Sequence, residues 1–133
     1  MAVRIPKSRI SIGVQNLHIR KRFPSFRLIR VGTPHWKGKL DAEFDSYDVR
    51  IIPREQRSPK VFVMNPKPVE KAKHVYADGS LCLFYPPDRS WTDRSLIAET
   101  TIPWTAEWLF FYEVWLKTGK WLGGCVHGAS KEE

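Results

Sequence analysis

A thiol and an imidazole lie close together in the segment His74-Val-Tyr-Ala-Asp-Gly-Ser-Leu-Cys82-Leu83. Asp78-Gly79 between them predicts a tight turn, since glycine adopts positive φ at no steric cost and aspartate bonds its own backbone. Leu81 and Leu83 predict apolar anchoring on both sides of Cys82, so the thiol is expected to face outward from the turn. A cysteine so placed is a candidate nucleophile: its thiolate attacks an acyl carbon, and an imidazole takes or supplies the proton. The competing readings are a cysteine buried as a small hydrophobe and a histidine closing a surface loop. Asp78 reads first as a turn residue and second as a group that helps deprotonate an amine. Tyr76 and Trp91 are candidate walls of a groove, or equally core residues.

Elements must hold this segment in place. Phe26 to Met64 alternates like strands: Phe26, Leu28 and Ile29 form one run, then Leu40, Ala42 and Phe44, then Tyr47, Val49 and Ile51. Three to four antiparallel strands are predicted, with Asp45-Ser46 as a tight connection and Pro53 to Pro59 as a polar loop. Gly13 to Phe23 predicts a turn or two of helix at most, with Val14, Leu17 and Phe23 on one side, before Pro24 ends it. Pro66 to Lys73 predicts a surface crossing that delivers His74 to the turn, and Tyr85-Pro86-Pro87-Asp88 an extended stretch. Trp104, Trp108, Phe111 and Trp115 recur at helical spacing, so Pro103 to Lys117 predicts a helix that ends at Gly119 and packs its aromatic stripe on the sheet. A frayed tail follows.

The chain of 133 residues predicts one domain, with a core over about 26–118, a basic arm over 1–25 and a flexible tail over 119–133. No apolar run approaches membrane-spanning length and the first residues lack a signal peptide's apolar stretch, so a cytoplasmic protein is expected. Cys82 and Cys125 are expected to stay reduced there, with Cys125 incidental. The two cysteines and four histidines show no paired metal-ligand spacing, and no phosphate-cradling glycine loop is present. No metal or cofactor is therefore expected.

With 22 Lys and Arg against 14 Asp and Glu, the formal charge is +8, clustered at Arg20, Lys21, Arg22, Arg27 and Arg30. Nucleic acid is one partner such a balance allows. No helix-turn-helix, zinc finger or RNP-type pattern supports it, which favours a solvated face or a dock for an acidic protein.

Pro59-Lys60-Val61, followed by Gly79-Ser80-Leu81-Cys82-Leu83, resembles the ubiquitin-conjugating enzyme family, in which a Pro-Pro-Lys-Val strand precedes a Gly-x-(Ile/Leu)-Cys-Leu active-site turn. The strands from Phe26, Trp36 and Tyr47 look like the start of that family's meander, and the resemblance spans about residues 26–118. Two departures stand out: His74 falls where the family carries its asparagine, and Ala72 and Lys73 replace the family's His-Pro pair. The compact size also resembles the conjugating-enzyme-like proteins of CBASS antiphage defence operons, especially the short systems without a separate activating enzyme.

This resemblance implies an α+β fold with a ubiquitin-conjugating-enzyme-like core, an antiparallel meander of about four strands followed by helices after the cysteine turn. It implies that Cys82 carries a protein's C-terminal glycyl group as a thioester and that His74 assists attack by a lysine amine. The implied acyl donor is the operon's cyclic-nucleotide-synthesising nucleotidyltransferase. Rival readings are a silent binding module of the same fold, a small nucleic-acid-binding protein, and a cysteine hydrolase, the last lacking an identifiable third triad member.

Overall fold

The computed structural model describes residues 10–83 and 91–123. The expectations for residues 1–9, for the Pro86-Pro87 stretch and for Cys125 fall outside these residues. The architecture is α+β: one helix, a four-stranded antiparallel meander in the order β1-β2-β3-β4, the cysteine segment, and a second long helix.

Helix α1 runs over Ile12–Arg22, longer than the turn or two expected. Ser11 caps it, its Oγ accepting a hydrogen bond from the Val14 N–H at 3.2 Å, and Arg20, Lys21 and Arg22 complement the dipole in its last turn. Its inward face is Gln15 and Ile19, whereas Val14 and Leu17, from the apolar side read in the sequence, are exposed. The helix is anchored by polar bonds. The Gln15 amide donates to the Ser95 carbonyl at 2.9 Å and accepts from the Ile97 N–H at 2.9 Å, and Trp36 Nε1 donates to Asn16 at 2.9 Å.

Strands β1 (Arg27–Ile29), β2 (His35–Asp41), β3 (Ser46–Arg54) and β4 (Arg57–Asn65) follow. Register sets Trp36 opposite Ile51, Leu40 opposite Tyr47, and Val49 opposite Val63, so one face collects the apolar side chains. Each such fully buried side chain contributes about 1.5–3 kcal/mol. Phe26 lies directly on Gly38, where any Cβ would sit 2.2 Å from its ring. The expected polar loop from Pro53 to Pro59 is instead the end of a hairpin. Gln56 supplies the turn with φ 58, and the ladder shifts register between Ile52 and Arg54, which accommodates prolines that cannot donate to it. Phe44 does not continue the inward alternation of Leu40; it lies exposed in the β2–β3 turn, under the Lys117 ammonium 4.3 Å above its ring.

A 3-10 turn at Ile97–Glu99 leads into α2, Thr101–Thr118. Ile102, Thr105, Trp108, Leu109 and Tyr112 form its buried stripe, and Gly119 ends it in the left-handed conformation at φ 78. Glu113, also buried, ties α2 to the β2–β3 turn: its carboxylate accepts hydrogen bonds from the Phe44 and Asp45 N–H groups at 2.9 and 3.1 Å and from the Tyr47 hydroxyl at 2.8 Å. Burial first, and then this bond to Glu113, push the Tyr47 phenol above its ordinary pKa.

Candidate active site around Cys82 and His74

The segment 74–82 folds as a short hairpin against β4. Val75 bridges Leu81, the Cys82 N–H donates to the His74 carbonyl at 2.8 Å, and the Tyr76 N–H donates to the Ser80 carbonyl at 2.8 Å. The Leu81 N–H adds a bond to the Val61 carbonyl at 2.9 Å. Gly79 at φ 92 makes the turn, as the Asp-Gly pair predicts. Asp78 braces it: its carboxylate accepts from the Ser80 N–H at 2.9 Å and hydroxyl at 2.6 Å, and pairs with the Lys60 ammonium. The Lys60 bond, and next the Ser80 bonds, hold the Asp78 carboxyl well below its ordinary pKa.

The pairing sets His74 beside Cys82. His74 takes φ 59, a left-handed conformation uncommon outside glycine, and sits half-buried. The thiol does not face outward as expected: Cys82 is 2% exposed and opens inward on a cavity of about 160 Å³. Trp104, Trp108 and Phe111 of α2 line that cavity, with Glu107 exposed at its rim. The chain beyond Gly119 closes it. The Trp121 ring packs 4.9 Å from the His74 ring, 5.5 Å from Trp108 and 6.1 Å from Phe111. Gly123 lies so near Phe111 that a Cβ would come within 2.4 Å of that ring. Residues 121–123, expected to fray, are therefore part of the cavity wall.

Asp78, Tyr76 and Trp91 are not in this cavity. They line a larger cleft of about 740 Å³ across the hairpin, with Arg54, Arg57 and Lys60. Leu81 and Leu83 face that cleft while Cys82, between them, faces the cavity, the alternation expected of extended backbone. Arg20, Lys21, Arg22, Arg27 and Arg30 are all exposed at the end of α1 and around β1, outside both hollows. The aromatic stripe of α2 divides likewise: Trp108 is buried, whereas Trp104, Phe111 and Trp115 are half-buried and the first two serve as cavity wall. Glu107 and Trp121 were not among the sequence-derived candidates. Glu107 shares a helix face with Trp104 and Phe111, a spacing that could have flagged it; nothing local flags Trp121.

The arrangement places a thiol, an imidazole and an aromatic wall together. Among the described residues no group of three or more His, Cys, Asp or Glu could hold a metal ion, and no helix is long and apolar enough to cross a membrane. Residues 15–128, a span that includes the hairpin and both helices' core faces, match the family described as Type II CBASS E2 protein. The chain belongs to the Type II CBASS E2 family. A search of curated proteins finds no match. Family membership ties this E2-family chain to CBASS defence and to work alongside other CBASS proteins.

Proposed function

We propose that this chain is a cysteine-dependent acyl transferase of the ubiquitin-conjugating kind. Cys82 accepts the C-terminal acyl group of a partner protein as a thioester, and an amine then attacks the same carbonyl to give an amide or isopeptide bond. The observation that carries this reading is the shared cavity of Cys82 and His74, joined by a backbone bond of 2.8 Å, within a chain of the CBASS E2 family. His74 is the group that takes a proton from the thiol or the incoming amine. The partner is the operon's cyclic-nucleotide synthase, as the family resemblance implies, and the acceptor is a protein lysine. A tail of several residues does not fit 160 Å³, so Trp121 and its neighbours move aside for loading.

The test is intact mass after co-expression with the neighbouring CBASS proteins, for wild type, Cys82→Ala and Cys125→Ala, with and without a thiol reductant. A partner-sized adduct that needs Cys82, not Cys125, and is released by reductant is expected. A second reading, a silent binding module, draws on the 2% exposure of Cys82. It predicts no adduct, partner binding unchanged in Cys82→Ala, and a thiol inert to alkylation in the folded protein.

A further inference from the structure

The outer face of the sheet carries an unbalanced row of charge. Trp36, Ile51 and Val61 point into the core, so their strand neighbours Lys37, Arg50 and Phe62 point the other way, away from the helices. Register sets Arg27 opposite Lys37, Lys37 opposite Arg50 and Arg50 opposite Phe62, so three cations stand side by side across β1, β2 and β3. Neighbouring strands lie about 4.8 Å apart, so the row spans roughly 10 Å. Like charges directly opposite one another weaken a sheet. The same face shows the ordinary remedy nearby: Lys39 stands opposite Asp48 and pairs with it at 2.9 Å, and Lys60 pairs with Asp78. Arg27, Lys37 and Arg50 have no carboxylate partner among the described residues.

The row runs into a groove of about 600 Å³, where Arg50 and Phe62 are joined by Ile52, Met64, Lys67 and Val69. The wall at Val69 is held in place, its N–H donating to the Tyr112 hydroxyl of α2 at 2.9 Å. Among the described residues the carboxylates on this groove are Glu70, which is exposed, and Asp78, which is bonded to Lys60. The complement of such a surface brings carboxylates for the row and an aliphatic side chain for the groove. A nucleic acid strand would supply the charge, but its bases stack on successive open aromatic faces. Phe62 is half-buried and within contact of Gly79, so Tyr76 is the only exposed ring among the described lining residues.

We propose that this face docks an acidic segment of a partner protein, its carboxylates over Arg27, Lys37 and Arg50 and an aliphatic side chain in the groove beside Phe62 and Met64. Binding then relieves the repulsion within the row, and the cations that weaken the free sheet strengthen the complex. No step of this docking passes through Cys82, so it stands apart from the acyl-transfer reading.

The test is fluorescence anisotropy on the full chain with three labelled probes: a peptide of alternating glutamate and leucine, a peptide of glutamate alone, and single-stranded oligo-dT. The glutamate-leucine peptide is expected to bind most tightly, with affinity that falls as salt rises. Lys37→Glu is the decisive variant, because it turns two like-charge neighbours into two opposite-charge pairs. Its thermal unfolding midpoint should rise by about 3 °C while its affinity for the glutamate-leucine peptide falls about tenfold. Arg27→Glu, at the row's exposed end, should weaken the same peptide and keeps the test decisive if Lys37→Glu fails to fold. Lys120→Glu makes the same change of net charge outside the row and the groove, and should leave the affinity within about twofold. Absence of peptide binding, affinity unmoved by Lys37→Glu and Arg27→Glu, or equal loss in Lys120→Glu overturns the docking assignment. Equal affinity for the two peptides overturns the role of the groove, and tighter binding of oligo-dT that the row variants abolish gives the face to nucleic acid instead.

Discussion

The two hollows flanking the 74–82 hairpin differ in almost every respect. The Cys82 side is small, about 160 Å³, and walled by tryptophan and phenylalanine; the far side is about 740 Å³ and carries, among the described residues, Arg54, Arg57 and Lys60 against one carboxylate, Asp78. One backbone segment separates them, with Leu81 and Leu83 turned one way and Cys82 the other. The difference teaches that the residues grouped with Cys82 by sequence nearness, Asp78 and Tyr76, are not the ones grouped with it in space. Helix α2 and the chain beyond Gly119 supply its neighbours instead.

The sharpest way to break this contrast is substitution on each side. Cys82→Ala should abolish the partner adduct, while Arg57→Ala should leave adduct formation present; equal loss by mass spectrometry would erase the distinction. Glu113→Ala comes next. It leaves two backbone N–H groups and the Tyr47 hydroxyl without their acceptor and removes the tie between α2 and the β2–β3 turn, at a cost of about 3 kcal/mol in urea unfolding. A stability change under 1 kcal/mol would show α2 is held otherwise.

Glu107→Gln removes the rim carboxylate and should slow discharge of the Cys82 acyl group to lysine by up to about tenfold, through weaker attraction of the ammonium. Discharge to hydroxylamine, which is neutral, should change little; equal slowing of both would assign Glu107 a packing role. The smallest effect is expected from Asp78→Asn on the far side, under about 1 kcal/mol because the Lys60 pair is partly solvated. Since folding depresses the Asp78 carboxyl, its stabilisation is full above the ordinary value of 3.8 and fades as pH falls through the lower folded value. The variant should therefore differ from wild type in thermal unfolding at neutral pH and converge with it in strong acid.

Much of the fold is legible in the residues. Inward alternation at Tyr47, Val49 and Ile51 foretells β3, and the aromatic spacing with Gly119 foretells α2 to within two residues at either end, since both patterns are local. Helix α1 reads poorly because Gln15 holds it through an amide bonded across the molecule, which an apolar-periodicity reading discounts. The β3–β4 hairpin hides behind Pro53 and Pro59, tolerated only by the shift in register. At the site, the Asp-Gly turn is legible and so is the closeness of His74 to Cys82. The burial of the thiol is not: it depends on Trp121, which lies beyond the left-handed Gly119 and packs beside His74 at the cavity.

The segment beyond Gly119 has a kinetic meaning. A thiol beneath Trp121 meets a reagent only in the fraction of time the segment has swung clear, so its modification should follow opening-limited kinetics. The observed rate would climb with reagent concentration, then level off at the opening rate, a plateau set by the chain after α2 and indifferent to the reagent's intrinsic speed.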